Sequence, residues 1–182
     1  MEAAQNIAMH AQDRKTLVFL PLVRTSKLFA QMLCNTGMKA CHIDGASPDR
    51  AEILADFAAN KYQVLTNAAL LTEGYDCPDI SCIVVLRPTQ IRPLYQQMVG
   101  RGTRIAPGKK DLLILDFLWL TERHSLCKPA SLVGKSEAEV KQIMDLIGTG
   151  EQVDLLQAEG TAQAQREEAL RRRLAEQRHK KT

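Results

Sequence analysis

The stretch from Thr16 to Ile43, TLVFLPLVRTSKLFAQMLCNTGMKACHI, decides the fold class of this chain. Thr16–Leu20 is a compact apolar run without polar alternation, and Pro21 stops it because proline cannot donate to a strand ladder. Thr25 or Ser26 offers a cap for the helix that follows, in which Leu28, Phe29, Met32 and Leu33 recur at helical spacing until Gly37 ends it. Lys39–Ile43 then reads as a second strand. A strand, an amphipathic helix and a strand in succession form the unit from which parallel sheets are built.

The alternation continues outward from there. The loop DGASP leads into a helix announced by Ser47, Pro48 and Asp49, with a buried face of Ile53, Leu54, Phe57 and Ala58, closed by Asn60. YQVLT is a strand, NAALLTEGYDCPDI a short helical turn, SCIVVL a strand halted by Pro88, and PGKKDLLILDF a turn into a fifth strand, Leu112–Asp116. Continuous aliphatic strands between amphipathic helices predict an α/β layered domain with a mainly parallel sheet covered on both faces. Ligands on such sheets sit outside the carboxyl ends of the strands, where Pro21, Asp44, Thr66, Arg87 and Asp116 fall. Residues 1–15 read as a short polar helix and linker, 16–130 as the layered domain, and 131–182 as a helical extension. In the extension Ser136 caps a helix carrying Val140, Ile143, Met144 and Ile147, ended by Gly148 and Gly150, and a polar helix runs on from Gln152. Trp119, in an irregular segment, is a packing anchor or a stacking platform.

Composition narrows the function classes. The chain has 182 residues, 45% of them apolar but only 4% aromatic, so aliphatic side chains must build the core. No apolar run approaches the roughly 20 residues of a membrane span and no signal peptide opens the chain, so a soluble, cytoplasmic protein is expected. Five cysteines without a C-x-x-C pair, and a lone His124-x-x-Cys127 half-site, predict neither a disulfide framework nor a metal site. The net charge of +3 is a property of the tail, since Arg166–Thr182 carries seven basic and three acidic residues.

Tyr95–Arg104, YQQMVGRGTR, carries the chemistry. Thr89 can cap a helix whose first turn holds Pro93, and at about 100° per residue Gln97, Arg101 and Arg104 then share one side. Ile91, Leu94, Tyr95, Met98 and Val99 take the opposite arc. Two guanidiniums on one face suit a polyphosphate, or form a solvated basic face. Gly100 and Gly102 each cost about 1 kcal/mol inside a helix, which argues against a plain surface helix. In TNAALLTEGYDCPDI, Thr66 ends a strand and Thr72, Gly74 and Asp76 follow in a turn. Such a turn is an ordinary strand connection or a phosphodiester grip built from N–H groups and hydroxyls.

Taken together these residues resemble superfamily 2 helicases. Gln97, Gly100, Arg101 and Arg104 reproduce the Q-x-x-G-R-x-x-R pattern of motif VI, TEGYDCP resembles motif V, TLVFLPLVRTS resembles motif IV, and His42, Gly45 and Arg50 match the H-G-x(4)-R segment. Asp44 departs from that segment by standing between His and Gly, which leaves His42 as either a satisfied loop histidine or a ligand. The resemblance covers residues 16–105 and implies the second, C-terminal RecA-like domain of such an enzyme. It implies that Arg101 and Arg104 reach ATP phosphates across an interdomain cleft with Gln97 beside them, and that Gly74, Asp76 and Gly100 border the nucleotide. It further implies that Arg24, Thr25, Gly45, Arg50, Thr66 and Thr72 contact nucleic acid. The wording of motif V is closer to restriction translocases and DNA-repair members than to DEAD-box RNA helicases, which favours DNA.

Neither a G-x(4)-G-K-[ST] loop nor a D-E-x-[DH] pair occurs; GTRIAPGKK, Gly102–Lys110, is one residue too long and ends in lysine. ATP and Mg²⁺ are therefore expected to be held mainly by a first RecA-like domain, in cis or in trans, with this chain as a carboxyl-terminal part that is inactive alone. The rival readings are a nucleic-acid-binding module that kept the fold without the motor, and a protein-interaction role in which the basic tail docks.

Overall fold

The computed structural model describes residues 2–68, 75–117, 126–147 and 152–179. Two compact units divide the chain, Met1–Cys127 and Lys128–Thr182.

In the first unit the elements run α1 (Glu2–His10), β1 (Thr16–Phe19), α2 (Val23–Asn35), β2 (Ala40–Ile43), α3 (Arg50–Ala58), β3 (Val64–Asn67), β4 (Cys82–Val85), α4 (Arg92–Gly100) and β5 (Leu113–Asp116). The strands form one parallel sheet in the order β2-β3-β1-β4-β5. Thr16 is level with Val64 on one side and Cys82 on the other. β1, β3 and β4 are buried along their whole length, whereas β5 is half-buried throughout. That is the physical meaning of their unbroken apolar runs: a strand covered on both faces has no polar side to alternate with. Because all five strands point one way, their last residues, Phe19, Ile43, Asn67, Val85 and Asp116, share one rim of the sheet.

Local signals were overridden in four places. Residues 1–15 are more than a linker: Ala4, Ile7 and Ala11 are buried and join Val18, Phe29 and Leu33 in one apolar cluster. α2 begins after Leu22, so Thr25 does not cap it but donates its hydroxyl to Leu22 O at 2.8 Å from within the first turn. α3 begins after Asp49, because Ser47 is spent on Asp44, and its Ala58 is exposed where a buried face was expected. Asn60 closes it as read, with φ 62°. α4 begins after Ile91, which is 61% exposed rather than part of the buried arc; Thr89 Oγ1 instead accepts the Ile91 N–H at 3.0 Å just before the helix.

The second unit contains a 3₁₀ turn (Pro129–Leu132), α5 (Glu137–Ile147) and α6 (Leu155–His179). Ala130, Ile143, Ala158 and Ala162 make its small core. The division between the two units falls after Cys127, and Ala130 buries with this later cluster. Ser136 does cap α5, accepting the Glu139 N–H at 3.3 Å, while Glu139 accepts from Lys135 N at 2.8 Å. The expected terminators Gly148 and Gly150, and Trp119, lie outside the described residues.

Candidate nucleotide and nucleic-acid site

α4 is held down by Tyr95, Met98 and Val99, all buried, and the Tyr95 hydroxyl donates to Asp116 at 3.2 Å. The helix stops at Gly100, and Gly102 N–H closes the last turn on Val99 O at 2.9 Å. The predicted helical face therefore does not form. Gln97 is exposed on α4, whereas Arg101 and Arg104 sit on the turn beyond it. The two glycines differ in kind. A Cβ on Gly102 would come within 2.4 Å of Leu112 Cδ1 and 2.9 Å of Ile83 Cγ1, so the turn presses its backbone onto β4 and the approach to β5. A Cβ on Gly100 would meet nothing within 4 Å, so packing does not explain that glycine.

This turn carries the arginines to the loop that opens at Tyr75. Arg101 Nη1 donates to Tyr75 O at 3.0 Å, and Arg104 Nη1 forms a hydrogen-bonded ion pair with Asp76. Arg104 and Asp76 are 41% and 72% exposed, so water screens the pair and little stability is at stake when it opens. The loop itself is anchored from below. Lys15, almost fully buried, donates to Asp79 at 2.5 Å and Ala58 O at 2.9 Å and lies 5.3 Å from the centre of the Phe57 ring. Cys77 donates its thiol proton to Asp79 at 3.0 Å, and burial pushes that thiol up to about 11. Cys82 is pushed up to about 12, again by burial, so neither thiol is a nucleophile at neutral pH.

A second cluster surrounds β2. His42 Nδ1 lies 2.7 Å from Ser26 Oγ and Nε2 3.1 Å from Asp44 Oδ2, so both ring nitrogens are engaged and the satisfied-histidine alternative is the one that holds. Ser26 donates to Thr66 Oγ1 and Thr66 donates to Ser26 O, each at 3.0 Å. Thr66, expected to contact nucleic acid, is fully buried, and its hydroxyl ties β3 to α2. Asp44, which interrupts the His-Gly spacing, accepts from Ala46 N at 2.9 Å and Ser47 Oγ at 3.1 Å and pairs with Lys27 at 3.2 Å. The His42 hydrogen bond holds its carboxyl well below the usual range against the opposing effect of burial, with Lys27, Ala46 and Ser47 adding to it. Arg24, Thr25, Gly45 and Arg50 all lie exposed. Thr72 and Gly74 lie outside the described residues.

Lys15 and Asp79 were missed from the sequence; they lie 64 positions apart, and no local pattern announces such a pair. Among the described residues no three His, Cys, Asp or Glu side chains converge, and no helix is long and apolar enough to cross a membrane.

The helicase conserved C-terminal domain family matches residues 1–106. "Putative mitochondrial ATP-dependent helicase irc3" of Schizosaccharomyces pombe is 40% identical over 135 residues, 72% of this chain and 22% of that protein. The type I restriction enzyme EcoKI endonuclease subunit of Escherichia coli is 30% identical over 105 residues, 56% of this chain and 9% of its own. The chain thus spans less than a quarter of the length of either relative. Among solved structures, the C-terminal domain of the DEAD-box protein Dbp5 superposes with a TM-score of 0.53 at 20% identity, over 63% of this chain and 67% of that one, a likeness of fold.

Proposed function

This chain belongs to the helicase conserved C-terminal domain family of superfamily 2, and from that premise we propose that it is the second motor domain of an ATP-dependent nucleic-acid helicase or translocase. The observation that carries the proposal is the docking of Arg101 and Arg104, of motif VI, on Tyr75 and Asp76, of motif V.

The physical logic follows from that cluster. A guanidinium resting on an exposed carboxylate is already oriented, and exchanging Asp76 for a phosphate oxygen sacrifices one screened ion pair. Arg101, half-buried and held by a carbonyl, keeps the turn in place while Arg104 changes partner. A first RecA-like domain presents ATP with its Mg²⁺, and the arginines stabilise charge on the phosphoryl group as the two domains close. We assign Gln97, exposed on α4, to the same cleft, and Gly100 to a place beside the nucleotide. Arg24, Thr25, Gly45 and Arg50, exposed on the segments around β1 and β2, offer donors to one nucleic-acid strand. Thr72 is assigned to the same grip and Gly74 to the border of the nucleotide. The TEGYDCP wording favours DNA as that strand.

The test is reconstitution with the first RecA-like domain. Nucleic-acid-stimulated ATP hydrolysis should appear, and Arg104→Ala should lower turnover by about 10³ to 10⁵ while the fold is retained. Unchanged turnover in the Arg104→Ala assembly would refute the assignment.

A further inference from the structure

We propose that Lys109 is the positioning residue of the arginine turn: its ammonium gathers the carbonyls of Gly102, Arg104 and Pro78 and so sets where both guanidiniums stand. Lys109 Nζ lies 2.5 Å from Gly102 O, 2.7 Å from Arg104 O and 3.2 Å from Pro78 O. An ammonium has three N–H donors, and here each meets an acceptor. Gly102 directly follows Arg101, and Arg104 is the second arginine, so both carbonyls lie on the turn that carries the guanidiniums. Pro78 belongs to the loop that receives them through Tyr75 O and Asp76. One cation therefore binds the two segments whose relative placement defines the site.

The placement has a local cause. Lys109 N–H closes a turn on Ala106 O at 3.2 Å, with Pro107 and Gly108 between them and Gly108 at φ +79°. Proline followed by a left-handed glycine is the signature of a type II turn, which sends Lys109 back toward the end of α4. Carbonyls at a helix C-terminus lack intrahelical donors and attract cations. Thr103 Oγ1 serves Gly100 O at 3.1 Å, and Lys109 serves the carbonyls that follow. Burial lowers the ammonium's pKa while the Asp79 carboxylate and Cys77 act against that shift, consistent with a desolvated, specifically coordinated ion. Gly102–Lys110, too long to be a phosphate loop, thus serves as a brace for the residues that meet a phosphate rather than as a cradle for one. The catalytic consequence rests on the motor reading, whereas the brace itself does not.

Two measurements on the full chain test the brace. Arg104 and the 98% exposed Ile105 flank a bond open to an arginine-specific protease. Lys109→Met should speed cleavage there about tenfold, as expected for loss of charge-assisted hydrogen bonds that restrain the turn. Lys110→Met, which removes the same charge from the exposed neighbour, should leave the rate unchanged. Equal rates for Lys109→Met and wild type, or equal acceleration by both variants, would overturn the proposal. Should Lys109→Met not fold, the wild-type chain still decides the matter. Its Lys109 ammonium protons should give a slowly exchanging ¹H–¹⁵N signal at neutral pH, and exchange as fast as at exposed lysines would overturn the brace. In the reconstituted motor Lys109→Met should lower kcat with KM for ATP little changed. A restrained ammonium together with an inert Arg104→Ala would instead count against the motor reading and leave the brace standing.

Discussion

Gly102 and Gly100 stand two positions apart in one motif, yet their surroundings predict opposite results on substitution. Gly102→Ala must displace Leu112 or Ile83 and should cost about 1–3 kcal/mol in thermal or denaturant unfolding of the first unit. Gly100→Ala has free space at the last helical residue and should be neutral or stabilising by up to about 1 kcal/mol. If phosphates approach the Gly100 backbone, the same variant should lower ATP turnover, separating a functional glycine from a packing one. Asp44 makes a prediction in pH. Its folded pKa lies below the unfolded value of about 4, so the stabilisation it gives is complete above that value. It is lost as pH falls through the lower folded pKa. Acid unfolding monitored by far-UV circular dichroism should therefore begin at higher pH in Asp44→Asn, with a shallower dependence below pH 4. The stability lost at neutral pH should be about 1–3 kcal/mol, as the hydrogen bonds to His42 and Lys27 lose their charge. An unchanged acid transition would show that the carboxylate is replaceable.

At the scale of elements, the helices that periodicity marks formed, while their starts were decided by which groups the tertiary structure had already claimed. Ser47 looked like a helix cap, but it satisfies Asp44 in the loop before α3. Thr89 precedes α4 by enough to order the approach without capping it. α1 shows the converse case. Its sequence is polar enough to read as a linker, and only the buried Ala4 and Ile7, with Ala11 just past its end, show that it packs. Ile7→Ala should cost about 2–5 kcal/mol in the stability of the first unit, the ordinary range for emptying a fully buried isoleucine site. A loss within about 0.5 kcal/mol would mean that α1 is an appendage. The strand ends shifted by a residue or so, as Leu20 and Lys39 fall just outside the paired ladder.

The whole molecule has a division of labour. The first unit brings the Tyr75–Asp76 loop and the arginine turn together, and the second holds α5 and α6 in its own small core. Isolated from a first RecA-like domain, the chain should show no ATP hydrolysis above background in a phosphate-release assay; robust turnover would contradict the proposed function. By itself the sequence determined the α/β class, the order of strands and helices, and the residues that make the family resemblance, because aliphatic runs and helical periodicity are local and survive any packing. Only the tertiary structure decided that α4 ends at Gly100, that Arg104 meets Asp76, that Thr66 is sealed beneath Ser26, and that Lys109 closes on Gly102, Arg104 and Pro78. The physical reason is that a β crossover places distant residues beside one another, and polar groups desolvated there take whichever partner the backbone delivers.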